Sequence, residues 1–124
     1  MILVDTSIWV DHFRKGHSIL QFLLEEGQVL IHSFIIGELA CGSLKNRNEI
    51  LRLLSALPCL QTVDHSEVMC LVETKHLFES GIGWIDAHLL ASALLSDCSL
   101  WTADRRLRAI AEKLGLAPDF GSQT

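Results

Sequence analysis

Short apolar runs, each too brief for a buried helix, alternate with amphipathic stretches of helical length, and this alternation leaves few folds open to the chain. Ile2–Asp5 and Val29–Ile31 have the length of buried strands and lack the polar alternation of strands with one wet face. Leu100–Thr102 reads the same way, and Leu60–Val63 and Leu116–Phe120 are expected as two further strands. Between them, Thr6 and Ser7 can cap a helix carrying Ile8, Trp9, His12 and Phe13, and Ile19–Glu26 is a second helix stopped by Gly27. Ser33 opens a helix through Cys41. Asn46 with Glu49, and Asp64 with Glu67, have capping-box spacing, which predicts helices toward Leu57 and to about Ser80. After the Gly81 and Gly83 break come a strongly apolar helix, Ile85–Leu95, and a final helix, Asp104–Leu114, closed by Gly115. Strands alternating with helices predict a three-layer α/β/α sandwich around a mostly parallel five-stranded sheet, as a single domain over residues 1–124.

Composition narrows the class further. A chain of 124 residues buries enough surface to hold together without disulfides or structural metal. Apolar residues make up 49% of it and the mean hydropathy is +0.33, an excess that a partner or a second copy can cover. No apolar run reaches the roughly 18 residues of a membrane helix. The opening Met1-Ile2-Leu3-Val4-Asp5 has no basic leader region, so the expected location is cytoplasmic. Cys41, Cys59, Cys70 and Cys98 form no CxxC pair and sit among apolar residues, which predicts buried, reduced thiols rather than a zinc site. The net charge of −5 argues against a broad basic nucleic-acid surface, although acids gathered in one metal site can coexist with basic residues elsewhere.

Most of the 15 acids read as solvated or capping residues, but four occupy unusual places. Asp5 ends the first buried strand, at the kind of position where open α/β sheets bind ligands; it can equally cap the next helix. Glu38 lies in Phe34-Ile35-Ile36-Gly37-Glu38-Leu39-Ala40-Cys41, with Phe34, Ile35 and Cys41 as helical neighbours, so it is expected on an apolar face. A lone charge there costs several kcal/mol unless a salt bridge or a cation compensates it. Asp86 opens the Ile85–Leu95 helix and shares a face with Leu90, Ala93 and Leu94, where a first-turn acid favoured by the helix dipole is the plain alternative. Asp104 follows Leu100-Trp101-Thr102 and can be an ordinary N-cap.

In a parallel sheet the strands' carboxyl ends lie on one side, so all four acids can converge there. Like charges gathered in this way need a counter-charge. Magnesium or manganese suits hard oxygen ligands, lowers the pKa of bound water, and neutralises phosphate, a combination matched to phosphodiester hydrolysis. The Thr102 hydroxyl can orient a ligand or a water.

These segments resemble the motifs of PIN domains, and more closely those of VapC-type toxins from bacterial and archaeal toxin–antitoxin pairs. Met1-Ile2-Leu3-Val4-Asp5-Thr6-Ser7 resembles the family's opening strand and first acid, and Ile36-Gly37-Glu38-Leu39 its second acidic motif. Gly83-Trp84-Ile85-Asp86-Ala87-His88-Leu89-Leu90-Ala91 and Leu100-Trp101-Thr102-Ala103-Asp104-Arg105-Arg106-Leu107 resemble the third and fourth. The resemblance implies strand order 3-2-1-4-5. It implies a Mg2+- or Mn2+-dependent endoribonuclease with Asp5, Glu38, Asp86 and Asp104 as catalytic and metal-holding acids, supported by Thr102 and Thr6. It further implies a homodimer and a cognate VapB-type antitoxin, with tRNA or ribosomal RNA as the target.

Arg105 and Arg106, beside Asp104, are candidate phosphate contacts, with a solvated helix face as the plainer reading. His88 points away from Asp86 on the same helix and is expected to pack rather than catalyse. Trp9, Trp84 and Trp101 are expected in the core or an interface. Among competing classes, a receiver-like signalling domain needs an acid pair after its first strand and a late lysine, neither present here. A dinucleotide-binding domain needs a GxGxxG that is missing. A non-catalytic PIN-like binding protein stays open.

Overall fold

A computed structural model describes residues 1–120; the last four residues of the expected 1–124 domain lie outside the described residues. The chain runs β1 (Ile2–Val4), α1 (Thr6–Lys15), α2 (Ser18–Glu25), β2 (Val29–Leu30), α3 (Ser33–Ala40), α4 (Arg47–Ser55) and α5 (His65–Thr74). A 3-10 turn (Leu77–Glu79), α6 (Trp84–Ser96), β3 (Ser99–Trp101) and α7 (Arg105–Lys113) complete it.

The sheet is parallel, with β1 at its centre between β2 and β3. Leu3 stands level with Leu30 on one side and Leu100 on the other. Leu3, Val4 and Leu100 are buried from solvent, and each such side chain contributes roughly 1.5–3 kcal/mol by leaving water. The absence of polar alternation in these strands follows from that burial. In α6 the seven residues from Ala87 to Ala93 are all buried, so the middle of this helix is enclosed on every side rather than amphipathic, while Leu94 and Leu95 at its end are exposed.

The two outer strands expected at Leu60–Val63 and Leu116–Phe120 do not form among the described residues. Beyond β2 there is one parallel bridge, Ile31 with Cys59, where Ile31 N–H donates to Pro58 O at 2.9 Å and Leu60 N–H to Ile31 O at 2.8 Å. Beyond β3, Leu100 N–H donates to Leu116 O at 2.8 Å. Each contact sits next to a proline, Pro58 or Pro118, whose nitrogen cannot extend a ladder, and the polar residues Gln61 and Thr62 turn outward after Leu60.

Two expected capping boxes are also absent. Asn46 precedes α4 in the left-handed region (φ 55°), and neither it nor Asp64 makes a side-chain cap bond. The helix begun at His65 ends at Thr74 rather than near Ser80, because His76 takes a left-handed conformation (φ 53°) and the chain re-forms as the 3-10 turn. All four cysteines are free, but only Cys98 is buried; Cys41, Cys59 and Cys70 are exposed, since their apolar neighbours in sequence face the core while they face out.

Candidate active site

Asp5 follows β1 directly, and its N–H donates to Trp101 O at 2.9 Å, as the last rung between β1 and β3. It is the N-cap residue of α1 by position, yet its side chain makes no cap bond. The carboxylate is engaged elsewhere. Its Oδ2 accepts from Thr102 Oγ1 at 2.7 Å and from Ser7 Oγ at 3.2 Å, and both Asp5 and Thr102 are buried. The same two hydroxyls then organise the next loop: Ala103 N–H donates to Ser7 Oγ at 3.0 Å, and Asp104 N–H to Thr102 Oγ1 at 3.0 Å. Buried polar groups are stable only when paired, and this network pairs them.

Asp104 does cap its helix. Its Oδ1 accepts from Leu107 N–H at 2.9 Å. Asp86, half-buried in the first turn of α6, accepts from Gly83 N–H through Oδ2 at 3.3 Å. Glu38 departs from expectation. Its neighbours Ile35 and Leu39 are buried while Glu38 itself is exposed, with no salt bridge among the described residues, and its Oε1 accepts from Thr6 Oγ1 at 2.8 Å. The eight-residue α3 turns Glu38 toward α1 instead of the core.

One pattern unites the four acids. Each has one carboxylate oxygen committed to a protein donor: Oδ2 of Asp5 and of Asp86, Oδ1 of Asp104, and Oε1 of Glu38. The second oxygen of each makes no hydrogen bond among the described residues. Electrostatics tie the group together as well. Burial pushes the Asp86 carboxyl up, the Gly83 N–H opposes this, and the charges of Asp5, Asp104 and Glu38 push it up further. The other three carboxylates therefore lie within electrostatic reach of Asp86.

Among the described residues no three acid, imidazole or thiol side chains are drawn into a closed cation cage. The donor set nonetheless fits a hard divalent ion. All available atoms are carboxylate oxygens, the other three charges press on Asp86, and magnesium is held by one or two carboxylates while keeping several waters, so a closed cage is unnecessary.

The remaining candidates fall outside this group. Arg105 and Arg106 are exposed on the first turn of α7 and face a separate cleft. His88 is buried with its ring edge-on to Phe34 (4.9 Å) and Trp84 (4.7 Å), a packing role. Trp9 is in the core, Trp101 is half-buried against His17 and Phe120, and Trp84 is partly exposed. Sequence reasoning treated Ser7 only as a helix cap. The signal for it is the Asp-Thr-Ser run, since two hydroxyl residues follow the acid where one cap suffices. It also missed His32, fully buried at the N-cap of α3. Its Nδ1 accepts from Phe34 N–H at 3.0 Å, which leaves Nε2 as the donor to Ser92 Oγ at 3.0 Å; Ser92 in turn donates to Gln61 O at 2.9 Å.

Comparison with known proteins identifies the family. The PIN domain family model matches residues 2–113. Two curated relatives, each named Ribonuclease VapC32, from Mycobacterium tuberculosis strains CDC 1551 / Oshkosh and ATCC 25618 / H37Rv, are each 43% identical over 118 residues. The match covers 94% of this chain and 95% of each relative. This disposes of the receiver-like and dinucleotide-binding alternatives. A parallel sheet, an acid at the end of its central strand, and similarity along nearly the whole length together place the chain in the PIN-domain family, among its VapC members.

Proposed function

We propose that this protein is a Mg2+- or Mn2+-dependent endoribonuclease acting as the toxin of a type II toxin–antitoxin pair, with Asp5, Glu38, Asp86 and Asp104 as its catalytic, metal-holding acids. The observation that carries the reading is the shared state of these carboxylates, one oxygen fixed and one without a protein partner. The names of the relatives support the substrate class. Thr102 and Ser7 orient Asp5, Thr6 orients Glu38, the Gly83 amide orients Asp86, and the α7 amide of Leu107 orients Asp104. A bound divalent ion supplies Lewis acidity toward a phosphoryl oxygen and toward water, and offsets the repulsion among the acids. With the acids held in place, water attacks phosphorus in line, leaving a 5′-phosphate and a 3′-hydroxyl.

On the same reading the partners are tRNA or ribosomal RNA and a VapB-type antitoxin, and the protein works in the cytoplasm. No helix among the described residues is long and apolar enough to cross a membrane. A homodimer is supported by large apolar side chains left exposed, among them Phe78, Leu94 and Leu95. The bridge at Cys59 and the bond at Leu116 are read as the remnants of edge strands in a three-layer, five-stranded sheet of order 3-2-1-4-5.

The test is to map RNA ends in cells after brief induction of the wild type and of Asp5→Asn, and to repeat the cleavage in vitro with EDTA. The wild type is expected to yield 5′-phosphate ends, lost on chelation and restored by Mg2+ or Mn2+. Asp5→Asn is expected to lose about 100-fold or more in rate while keeping the fold. Cyclic-phosphate ends, EDTA-resistant cleavage, or undiminished cleavage by Asp5→Asn would each reject the mechanism. Absence of cleavage in all samples would leave a PIN-like binding protein.

A further inference from the structure

We infer that the cleft between α7 and the Leu77–Glu79 turn is a track for the backbone phosphates of the RNA that flanks the cut site. The inference rests on the nuclease reading for its substrate but on different residues for its evidence. The cleft has a volume of about 740 Å³, and Lys75, His76, Arg105, Arg106 and Lys113 line it, with Glu79 as the sole carboxylate. In a chain of 15 acids and 10 Lys plus Arg, four of the ten permanent cations face this one space. Glu79 does not balance them: its ion-pair contact is His76, at 3.9 Å. None of Lys75, Arg105, Arg106 and Lys113 makes an ion pair among the described residues. A solvated helix face explains cations on α7 alone, but here α7 meets a second wall that contributes Lys75. Like charges set across a cleft repel, and a polyanion is what relieves them.

The walls also lead to the acids. Asp104 immediately precedes α7, so the cleft runs along the helix that the acid caps. The other wall continues through Ser80 and Gly81 into Gly83, whose amide holds Asp86. Gly81 lies in the left-handed region (φ 82°), and a Cβ built on it would fall 3.0 Å from the Arg106 guanidinium. The absence of that carbon lets Arg106 settle against the loop leading to Asp86. With α7 rising about 1.5 Å per residue, the cations from Arg105 to Lys113 span roughly 12 Å away from the acids. That sets Lys113 at a flanking phosphate rather than the reacting one, with Lys75 facing the same cleft from the opposite wall.

The experiment uses the full chain in an Asp5→Asn background, with Mg2+ and a fluorescent single-stranded oligoribonucleotide, and reads affinity by anisotropy across a salt series. Lys75→Gln with Lys113→Gln is expected to weaken binding by about 3–10-fold and to flatten the log K against log salt slope by about 1.4, or 0.7 per cation removed. Both positions are exposed, and circular dichroism checks that the fold persists. A charge-matched control, Lys15→Gln with Arg52→Gln on α1 and α4, is expected to leave affinity and slope as in the parent. Equal flattening by both pairs, or none by the cleft pair, overturns the track. If the wild type cuts no RNA yet the cleft pair still flattens the slope, the nuclease reading fails and the track stands.

Discussion

Asp5 and Asp104 stand at the carboxyl ends of β1 and β3, whereas Glu38 and Asp86 stand on helices α3 and α6, and the two pairs are held differently. The strand-borne pair is knit into one network. Thr102 reaches both acids, through its hydroxyl proton to Asp5 and its lone pair to the Asp104 amide, and Ser7 fastens the loop between them. Asp5 and Thr102 are buried, so these bonds act in a weakly screened medium. The helix-borne pair has one bond each: Thr6 to an exposed Glu38, and Gly83 to a half-buried Asp86 at 3.3 Å. What steadies that pair is indirect, the His32–Ser92 hydrogen bond that ties the start of α3 to α6. One half of the site is preformed, and the other depends on how two helices are held.

Acid should act first on the helix-borne half. Burial, and secondarily the nearby charge of His88, lower the His32 pKa to about 4 from 6.5. The unfolded chain thus takes up this proton at higher pH than the folded one. The stability contributed by neutral His32 is complete above about pH 6.5 and is lost as pH falls toward 4, up to about 3 kcal/mol. Hydrogen exchange at pH 5 should lose protection in α3 and α6 before β1 and β3, and His32→Gln should flatten the pH dependence. Simultaneous loss in strands and helices would mean that the two halves are not separately held.

Removing the supporting hydroxyls comes next. Thr102→Val should cut kcat/KM about 10–100-fold, the usual effect of losing a group that orients a metal ligand, the role proposed for Asp5. Thr6→Val should cost about 2–5-fold, because an exposed hydrogen bond adds little. Equal losses would erase the distinction. The smallest effect is on the metal-free protein. The raised Asp86 carboxyl means that its ionised form is disfavoured on folding, so stability falls as pH rises through the window above the ordinary carboxylate value. Asp86→Asn should therefore raise the metal-free Tm by roughly 2 °C and blunt the further rise that the proposed site predicts for the wild type with Mg2+. A lowered Tm without metal would show that Asp86 is a structural acid.

The preformed half was also the more legible in sequence. An acid at the end of a buried run, and Thr102 at the end of another, are fixed by strand geometry, because a parallel sheet brings such ends together. Glu38 was placed on an apolar face because helical periodicity says which residues share a side but not where the core lies, and in a helix as short as α3 one step of rotation moves a residue from core to solvent. The failed capping boxes at Asn46 and Asp64 have a related cause: their spacing permits the bond, but the backbone at Asn46 is left-handed and turns the side chain away. Leu60–Val63 and Leu116–Phe120 have apolar content suited to strands, but strand formation also needs a free donor on the neighbouring residue, which Pro58 and Pro118 lack. Thr6 meeting Glu38, and Lys75 facing α7, join residues far apart in sequence, and nothing local encodes such pairs.

The sparse outer contacts of the sheet carry a consequence for how this protein meets other chains. A long bare strand edge is a template onto which another backbone can zip, the common route to runaway fibre growth. Here one flank ends in a single bridge and the other in a single bond, each near a proline with no N–H to offer, so among the described residues a neighbour finds no continuous ladder to extend. Side chains on the helices are then the freer surface for evolution to vary, since substitution there does not open the sheet to indiscriminate stacking.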